Sequence, residues 1–356
     1  MTCCRNLSRN IKKSVLKMLD NEFRKKLLQD ADLFTDIIGQ DEAKKQLKTA
    51  LLTERNMILV GPPGIGKTTL AKNVAKLLPD IKVNDCIANC LPEKPVCPEC
   101  VSGKKQKAVV LKGEKRFVRI QGSPDLTSED LLGDIDPIKA MKYGPSSLEA
   151  FTPGKIFRAN NGILFFDEVN RCPEKLQNAL LQVLEEKKAT IGNYEMDFHA
   201  DFIFIGTMNP YDSSTERLSD VFVDRFDLIY MDYPESQKFE TEIVRTKGKK
   251  IVEFNDNLLD VAVGFVRNLR NNPQLEKLPS VRASIGIYER AQAHALLKKR
   301  NSVVFEDVEA VLLSVLAHRI KLKPSIRFVV NPNDFIKDEF KKFIEASSIT
   351  KNGDYR

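Results

Sequence analysis

The residues with the most defined chemistry lie at 61–68, where Gly61-Pro-Pro-Gly-Ile-Gly-Lys-Thr68 fits G-x-x-x-x-G-K-[ST] without a gap. The run follows a short apolar segment, Met57–Val60, and precedes a helical pattern beginning at Thr68. In that setting the glycines let backbone N–H groups approach phosphate oxygens, and the helix N-terminus adds partial positive charge. Lys67 is expected to reach the β- and γ-phosphates and Thr68 to offer its hydroxyl to Mg²⁺. Gly61, Pro62, Pro63, Gly64, Ile65, Gly66, Lys67, Thr68 and Thr69 form the expected cradle. ATP and Mg²⁺ are the cofactors this predicts.

A second motif, Ile163-Leu-Phe-Phe-Asp167-Glu168, delivers two consecutive carboxylates to the end of an apolar strand. Ligands of open α/β sheets bind at that end. Asp167 is placed to hold the Mg²⁺ shell, and Glu168 to orient and polarise an attacking water. Two acids after a strand also serve as an ordinary helix N-cap. The full phosphate loop upstream favours catalysis. A third apolar run, Phe202–Ile205, leads into Gly206-Thr207-Met-Asn209-Pro210, which puts Asn209 at the same sheet edge. Asn-Pro is by itself a common turn signal.

Four cysteines form a separate constellation, Cys86-x-x-x-Cys90 and Cys97-x-x-Cys100. Their spacing on a proline-bearing loop suits a tetrahedral structural metal, Zn²⁺ before others. The competing reading is a flexible loop of reduced thiols. Lys94, Lys104 and Lys105 supply nearby positive charge. Cys3, Cys4 and Cys172 lack such spacing.

These groups need a scaffold, and the chain supplies one. Short apolar runs at Met57–Val60, Phe117–Ile120, Ile163–Phe166, Phe202–Ile205 and Leu228–Met231 read as central strands of a parallel sheet, with helical patterns between several of them. Ala43, Leu47, Ala50 and Leu51 make one helical stripe; Leu176, Ala179, Leu180, Val183 and Leu184 make another behind Pro173. Beyond Tyr233-Pro234, Leu258–Leu269, Arg282–Lys299 and Val304–Ile320 read as helices. The expected division is a basic helical extension over 1–30 and an α/β nucleotide-binding domain over 31–235, with a Cys-rich insertion at 80–116. A helical lid over 236–328 and a tail over 329–356, with a charged helix around Asp334–Glu345, complete it.

The 356 residues carry 56 basic and 49 acidic side chains, a formal net charge of +7. That excess is spread thinly, with concentrations at 104–107 and 247–250, and reads as a solvated lysine-rich surface rather than a nucleic-acid stripe. No apolar stretch approaches a membrane span, and the start has no secretory h-region. Asp20 and Glu22 argue against a mitochondrial presequence. A cytoplasmic protein is the expectation.

The motif order resembles the AAA+ ATPases, in the branch that holds the MoxR proteins and the magnesium chelatase I subunit. The resemblance runs from about Phe34 to Ile320. Arg119-Ile-Gln-Gly-Ser-Pro-Asp-Leu126 with Asp130-Leu-Leu-Gly133 is similar to the MoxR second strand and the start of its inserted hairpin. Asp134-Ile-Asp-Pro137, Phe151-Thr-Pro-Gly154 and Ala159-Asn-Asn-Gly162 resemble the chelatase subunit more. The family has insertions at about 133–155 and 191–200.

The resemblance implies a fold, a five-stranded parallel α/β domain followed by a small all-helical lid. It also implies roles. Ile38 and Gly39, within Asp36-Ile-Ile-Gly-Gln40, match the segment that contacts adenine, and Asn209 matches the polar sensor of the γ-phosphate. Arg225, in Asp224-Arg225-Phe226, matches the arginine finger that reaches the neighbouring subunit's γ-phosphate. Arg282, in Pro279-Ser-Val-Arg282-Ala283, matches the lid sensor. Arg171 and Arg217 compete for these arginine roles.

ATP hydrolysis in a homo-oligomeric ring, a hexamer, follows from the resemblance. So does a remodelling role with a von Willebrand A-domain protein in trans, the chain being read as ending about where the lid ends. A true chelatase subunit that drives Mg²⁺ into a porphyrin is the first alternative. A nucleic-acid-bound ATPase is the alternative of another class, and a module that binds without turnover is disfavoured by Glu168 and Arg225.

Overall fold

The computed structural model describes residues 21–103, 107–144, 147–190, 197–210 and 218–346. Cys3, Cys4, Lys104, Lys105, Arg217 and most of the 191–200 insertion lie outside the described residues, as do 1–20 and 347–356. The chain divides into two compact units, the first reaching Met231 and the second starting at Asp232; the short segments Ile38–Gln40 and Pro62–Ile65 group with the second.

In the first unit the strands run, in chain order, β1 (Met57–Val60), β2 (Ile81–Asn84), β3 (Ala108–Leu111), β4 (Phe117–Gln121), β5 (Gly133–Ile135), β6 (Phe151–Pro153), β7 (Gly162–Asp167), β8 (Lys188–Thr190), β9 (Asp197–His199), β10 (Phe202–Met208) and β11 (Asp227–Tyr230). Five of them form one sheet in the order β11-β1-β10-β7-β4, and every pairing in it is parallel. These are the five apolar runs of the sequence. β1 and most of β7 and β10 are buried throughout, as strands covered on both faces must be. The remaining strands pair as antiparallel hairpins, β2 with β3, β5 with β6 and β8 with β9. The Cys-rich segment, read from sequence as a loop, is therefore bracketed by a two-stranded ribbon.

Helix Asp41–Leu52 buries Ala43, Leu47, Ala50 and Leu51, its predicted stripe. Helix Glu174–Glu186, entered through Pro173, buries Leu176, Leu180, Val183 and Leu184. Described residues before 31 include helix Asn21–Leu27, whose Phe23 and Leu27 are buried.

The second unit is mainly helical, with Gln237–Lys247, Asp256–Arg270, Val281–Leu297, Phe305–Leu316 and Pro332–Ala346. Departing from the expected all-helical lid, Leu275–Lys277 and Lys321–Leu322 add a short antiparallel pair. Helix Pro332–Ala346 is the charged helix expected in the tail, but it packs into the second unit. Phe335, Ile336 and Phe340 recur at helical spacing and are buried in the same core as Phe265 and Leu312, with Phe265 and Phe340 edge to face at 4.9 Å. Two buried carboxylates tie these helices together. Glu240 accepts from both terminal nitrogens of Arg270 at 2.6 and 2.7 Å and from Ser284 Oγ at 2.6 Å. Asp307 accepts from Arg300 through two bonds of 2.6 Å. A buried charge is tolerable when it is paired and hydrogen-bonded in this way.

Candidate nucleotide site and cysteine cluster

The parallel register fixes what meets at the C-terminal edge of the sheet. Val60 pairs with Met208, and Gln121 with Asp167, so the loop after β1, the acids after β7 and Asn209 after β10 share that edge. Gly61 N–H donates to the Met208 carbonyl at 3.1 Å, which anchors the start of the loop beside β10. Gly66 closes the loop with φ at +102°, and a Cβ there would lie 2.8 Å from Ile37 Cδ1. The position takes glycine on both counts. Helix Lys67–Leu77 then starts with no side-chain cap, which leaves its first N–H groups to another acceptor, as an anion cradle requires. Lys67 Nζ donates to the Gly61 carbonyl at 2.6 Å, folding the ammonium across its own loop.

The acids are more constrained than the sequence suggested. Asp167 Oδ1 accepts from Thr207 Oγ1 at 2.6 Å, and Thr207 Oγ1 accepts from Glu168 N–H at 2.9 Å. Arg119 on β4 forms an ion pair with Asp167 Oδ2. Gln121 Nε2 donates to Glu168 Oε2 at 3.0 Å, and Arg171 Nη1 stands 3.4 Å from the same oxygen. Glu168 itself has φ 55° and ψ 53°, a left-handed conformation that side-chain-bearing residues adopt rarely and that clusters at functional sites. Its backbone is held by close approach to Gly122, where a Cβ would fall 2.1 Å from the Glu168 carbonyl oxygen.

Thr207, Arg119, Gln121 and Gly122 are the residues that sequence reasoning did not assign. The available signal was the alternation Arg119-Ile120-Gln121 in β4, where Ile120 is fully buried between two exposed polar side chains. Asn209 is at the expected edge, its carbonyl accepting from Asn170 Nδ2 at 3.4 Å.

Arg225 is not at this edge. β11 begins where Asp227 pairs with Met57, and ends where Tyr230 pairs with Val60. Arg225 thus precedes the N-terminal edge of the sheet, while the phosphate loop follows the opposite edge, about 10 Å away along four strand residues. Its guanidinium pairs with Glu185 and donates to the Val221 carbonyl at 2.7 Å. Arg282 belongs to the second unit. There it lies beside Gly64, whose added Cβ would be 3.2 Å from Arg282 Cγ and 3.0 Å from Ser280 Oγ. In the same unit Gly39 faces Phe239, with 3.5 Å from an added Cβ to Cδ2.

The sulfur atoms of Cys86, Cys90, Cys97 and Cys100 all lie within 4.8 Å of one another. A tetrahedral zinc–thiolate site, with bonds of about 2.3 Å, spaces its sulfurs about 3.8 Å apart. Three backbone N–H groups point at the cluster: Cys90 N–H to Cys86 Sγ, and Val96 and Cys97 N–H to Cys90 Sγ, each at 3.3 Å. Such donors stabilise thiolate. Hydrogen bonds from Cys90 and Cys97 pull the Cys86 thiol down to about 2. Donation to Cys86 pushes Cys90 up to about 11 and Cys97 up as well, with burial adding in the same direction. The bare cluster thus stabilises one thiolate and resists more, which a divalent cation would reverse. The donor set fits Zn²⁺.

Three family models match the chain in succession. The magnesium chelatase subunit ChlI model covers residues 33–94, the ATPase family associated with various cellular activities 97–228, and the AAA lid domain 268–338. A magnesium-chelatase subunit ChlI homolog of Methanocaldococcus jannaschii is 28% identical, with 90% of this chain and 93% of that one aligned. The chloroplastic magnesium-chelatase subunit ChlI of Glycine max is 28% identical over 82% of this chain and 75% of its own length. Chaperone MoxR1 of Mycobacterium tuberculosis is 26% identical over 80% and 73%. With the parallel sheet, the phosphate loop and the helical second unit in place, the chain belongs to the AAA+ ATPases, in the branch of MoxR and the magnesium chelatase I subunit.

Proposed function

We propose that this protein hydrolyses ATP at sites shared between neighbouring copies in a ring, most simply a hexamer. The observation that carries the reading is the placement of Lys67, Asp167 and Glu168 at one edge of the sheet and of Arg225 at the other. In this reading the backbone from Gly61 to Thr69 cradles the phosphates and Lys67 turns from the Gly61 carbonyl to the β/γ oxygens. Ile38 and Gly39 border the adenine. Thr68 and Asp167 hold Mg²⁺, which when bound neutralises charge on the phosphates. Glu168 orients the water, Asn209 senses the γ-phosphate, and Arg282 contacts phosphate of its own chain. Arg225 is too far along the sheet to serve its own cradle, so it serves the next one; a guanidinium supplied in trans couples turnover to assembly.

Turnover per chain is accordingly expected to rise with protein concentration. Arg225→Ala is expected to lower it about 100-fold or more, with nucleotide affinity close to wild type. A coupled ATPase assay over a dilution series, paired with fluorescent-nucleotide titration, checks both; full activity in the variant sinks the trans assignment.

The four cysteines are proposed to hold one structural Zn²⁺. The work done by the ring is proposed to be remodelling of a partner, with a von Willebrand A-domain protein as the expected class. The chelatase names of two relatives favour a second reading, insertion of Mg²⁺ into a porphyrin with partner subunits. ATP-dependent metallation by this chain together with such subunits separates the two. Among the described residues no helix is long and apolar enough to cross a membrane.

A further inference from the structure

Both carboxylate oxygens of Asp167 are already engaged. Thr207 donates to one at 2.6 Å and Arg119 forms an ion pair with the other. The two partners of that pair differ in freedom: the Asp167 side chain is 14% exposed and that of Arg119 is 50% exposed. Arg119 sits on β4, an edge strand of the sheet. The arginine can move outward into solvent; the carboxylate cannot. Arg119 also donates to Gln121 Oε1 at 3.1 Å, while the amide nitrogen of Gln121 donates to Glu168 Oε2 at 3.0 Å. A single polar chain thus links the cation on the first acid to the orientation of the second.

A divalent ion on Asp167 and a guanidinium on the same carboxylate repel each other at a few ångströms, in a partly buried setting where screening is incomplete. They cannot share the group at full strength. We propose that Arg119 is the counter-ion of Asp167 in the nucleotide-free protein, and that a divalent ion arriving with nucleotide displaces it. Its departure removes one hydrogen-bond partner from Gln121 and so loosens the hold on Glu168. The inference rests on the nucleotide site proposed above. Arg119 is in this account a positioning residue, set against the metal rather than with it.

The test uses the full chain with Mn²⁺ in place of Mg²⁺ and saturating ADP, free Mn²⁺ being read by electron paramagnetic resonance. Arg119→Gln is expected to bind Mn²⁺ roughly fivefold tighter or more than wild type, the scale of ordinary coupling between competing states. Arg119→Lys, which keeps the charge, is expected to return the affinity toward wild type. Affinity for ADP in excess EDTA is expected to stay the same in all three proteins. Equal or weaker Mn²⁺ binding by Arg119→Gln overturns the proposal. So does a loss of metal-free ADP affinity, which would make Arg119 a phosphate ligand. A wild-type chain that retains no ADP at all removes the nucleotide site itself, and this inference with it.

Discussion

A Glu168→Gln variant is expected to bind Mg·ATP as wild type does and to turn it over at least about 100-fold more slowly, because general-base assistance contributes about 10² to 10⁴. The substitution keeps the side chain's length and one oxygen, so the left-handed backbone at 168 and its approach to Gly122 are undisturbed. The Gln121 amide, which now donates to Glu168 Oε2 at 3.0 Å, can still find the amide oxygen. What disappears is the negative charge proposed to polarise water. Rapid-quench turnover alongside equilibrium nucleotide binding separates the two effects. Near-normal turnover would return Glu168 to the bland role of a turn residue. Since a subunit that binds without hydrolysing should dwell in its ATP state, the same variant is suited to capturing the protein acted upon.

Loss of the proposed metal from the cysteine cluster is the second large effect expected. Cys90, Cys97 and Cys100 belong to the core of the first unit, not to a detached finger. The loop is tied to the turn before β7 by Asn160 Nδ2 to the Ala88 carbonyl at 2.8 Å and Asn161 Nδ2 to the Asn89 carbonyl at 3.0 Å. Without such a cation the cluster stabilises a single thiolate, and the other buried sulfurs pack against it with no charge to hold them. Structural zinc contributes folding energy directly. Cys97→Ser is expected to bind no stoichiometric zinc and to cost roughly 3 kcal/mol, about 6–12 °C in Tm for a unit of this size. Elemental analysis and thermal melting with and without a chelator check this. A wild-type protein that is purified and refolded in zinc, yet carries none and melts unchanged, excludes the site.

The sheet was legible because its strands are buried on both faces: Met57–Val60 or Ile163–Phe166 have no polar alternation to misread. The phosphate loop and the acids were legible because each is contiguous in sequence. The support of the acids was not. Thr207, Arg119 and Gln121 come from strands that become neighbours only once the order β10-β7-β4 is known, and nothing local announces that Gly122 must clear the Glu168 carbonyl. Helix Gln237–Lys247 escaped notice because it buries only Glu240 and Val244, too sparse a stripe to show a period. A charged helix is expected around Asp334–Glu345 and is present as Pro332–Ala346, but its exposed face, dominated by Asp, Glu and Lys, points to a tail. Its buried Phe335, Ile336 and Phe340 were the better guide.

The shared site is tested most directly by mixing two inactive chains. Glu168→Gln lacks the carboxylate proposed to polarise water but keeps Arg225; Arg225→Ala keeps Glu168 but lacks the guanidinium proposed to act in trans. If the site is completed in trans, a mixed ring contains interfaces where an intact Glu168 faces an intact Arg225. With random one-to-one assembly and independent sites, about a quarter of the head-to-tail interfaces are of that kind. ATP turnover of the mixture is therefore predicted to recover to about a quarter of wild type, from two preparations that are each nearly silent. Turnover that stays at the level of the separate variants, although the two chains co-assemble, would contradict the account.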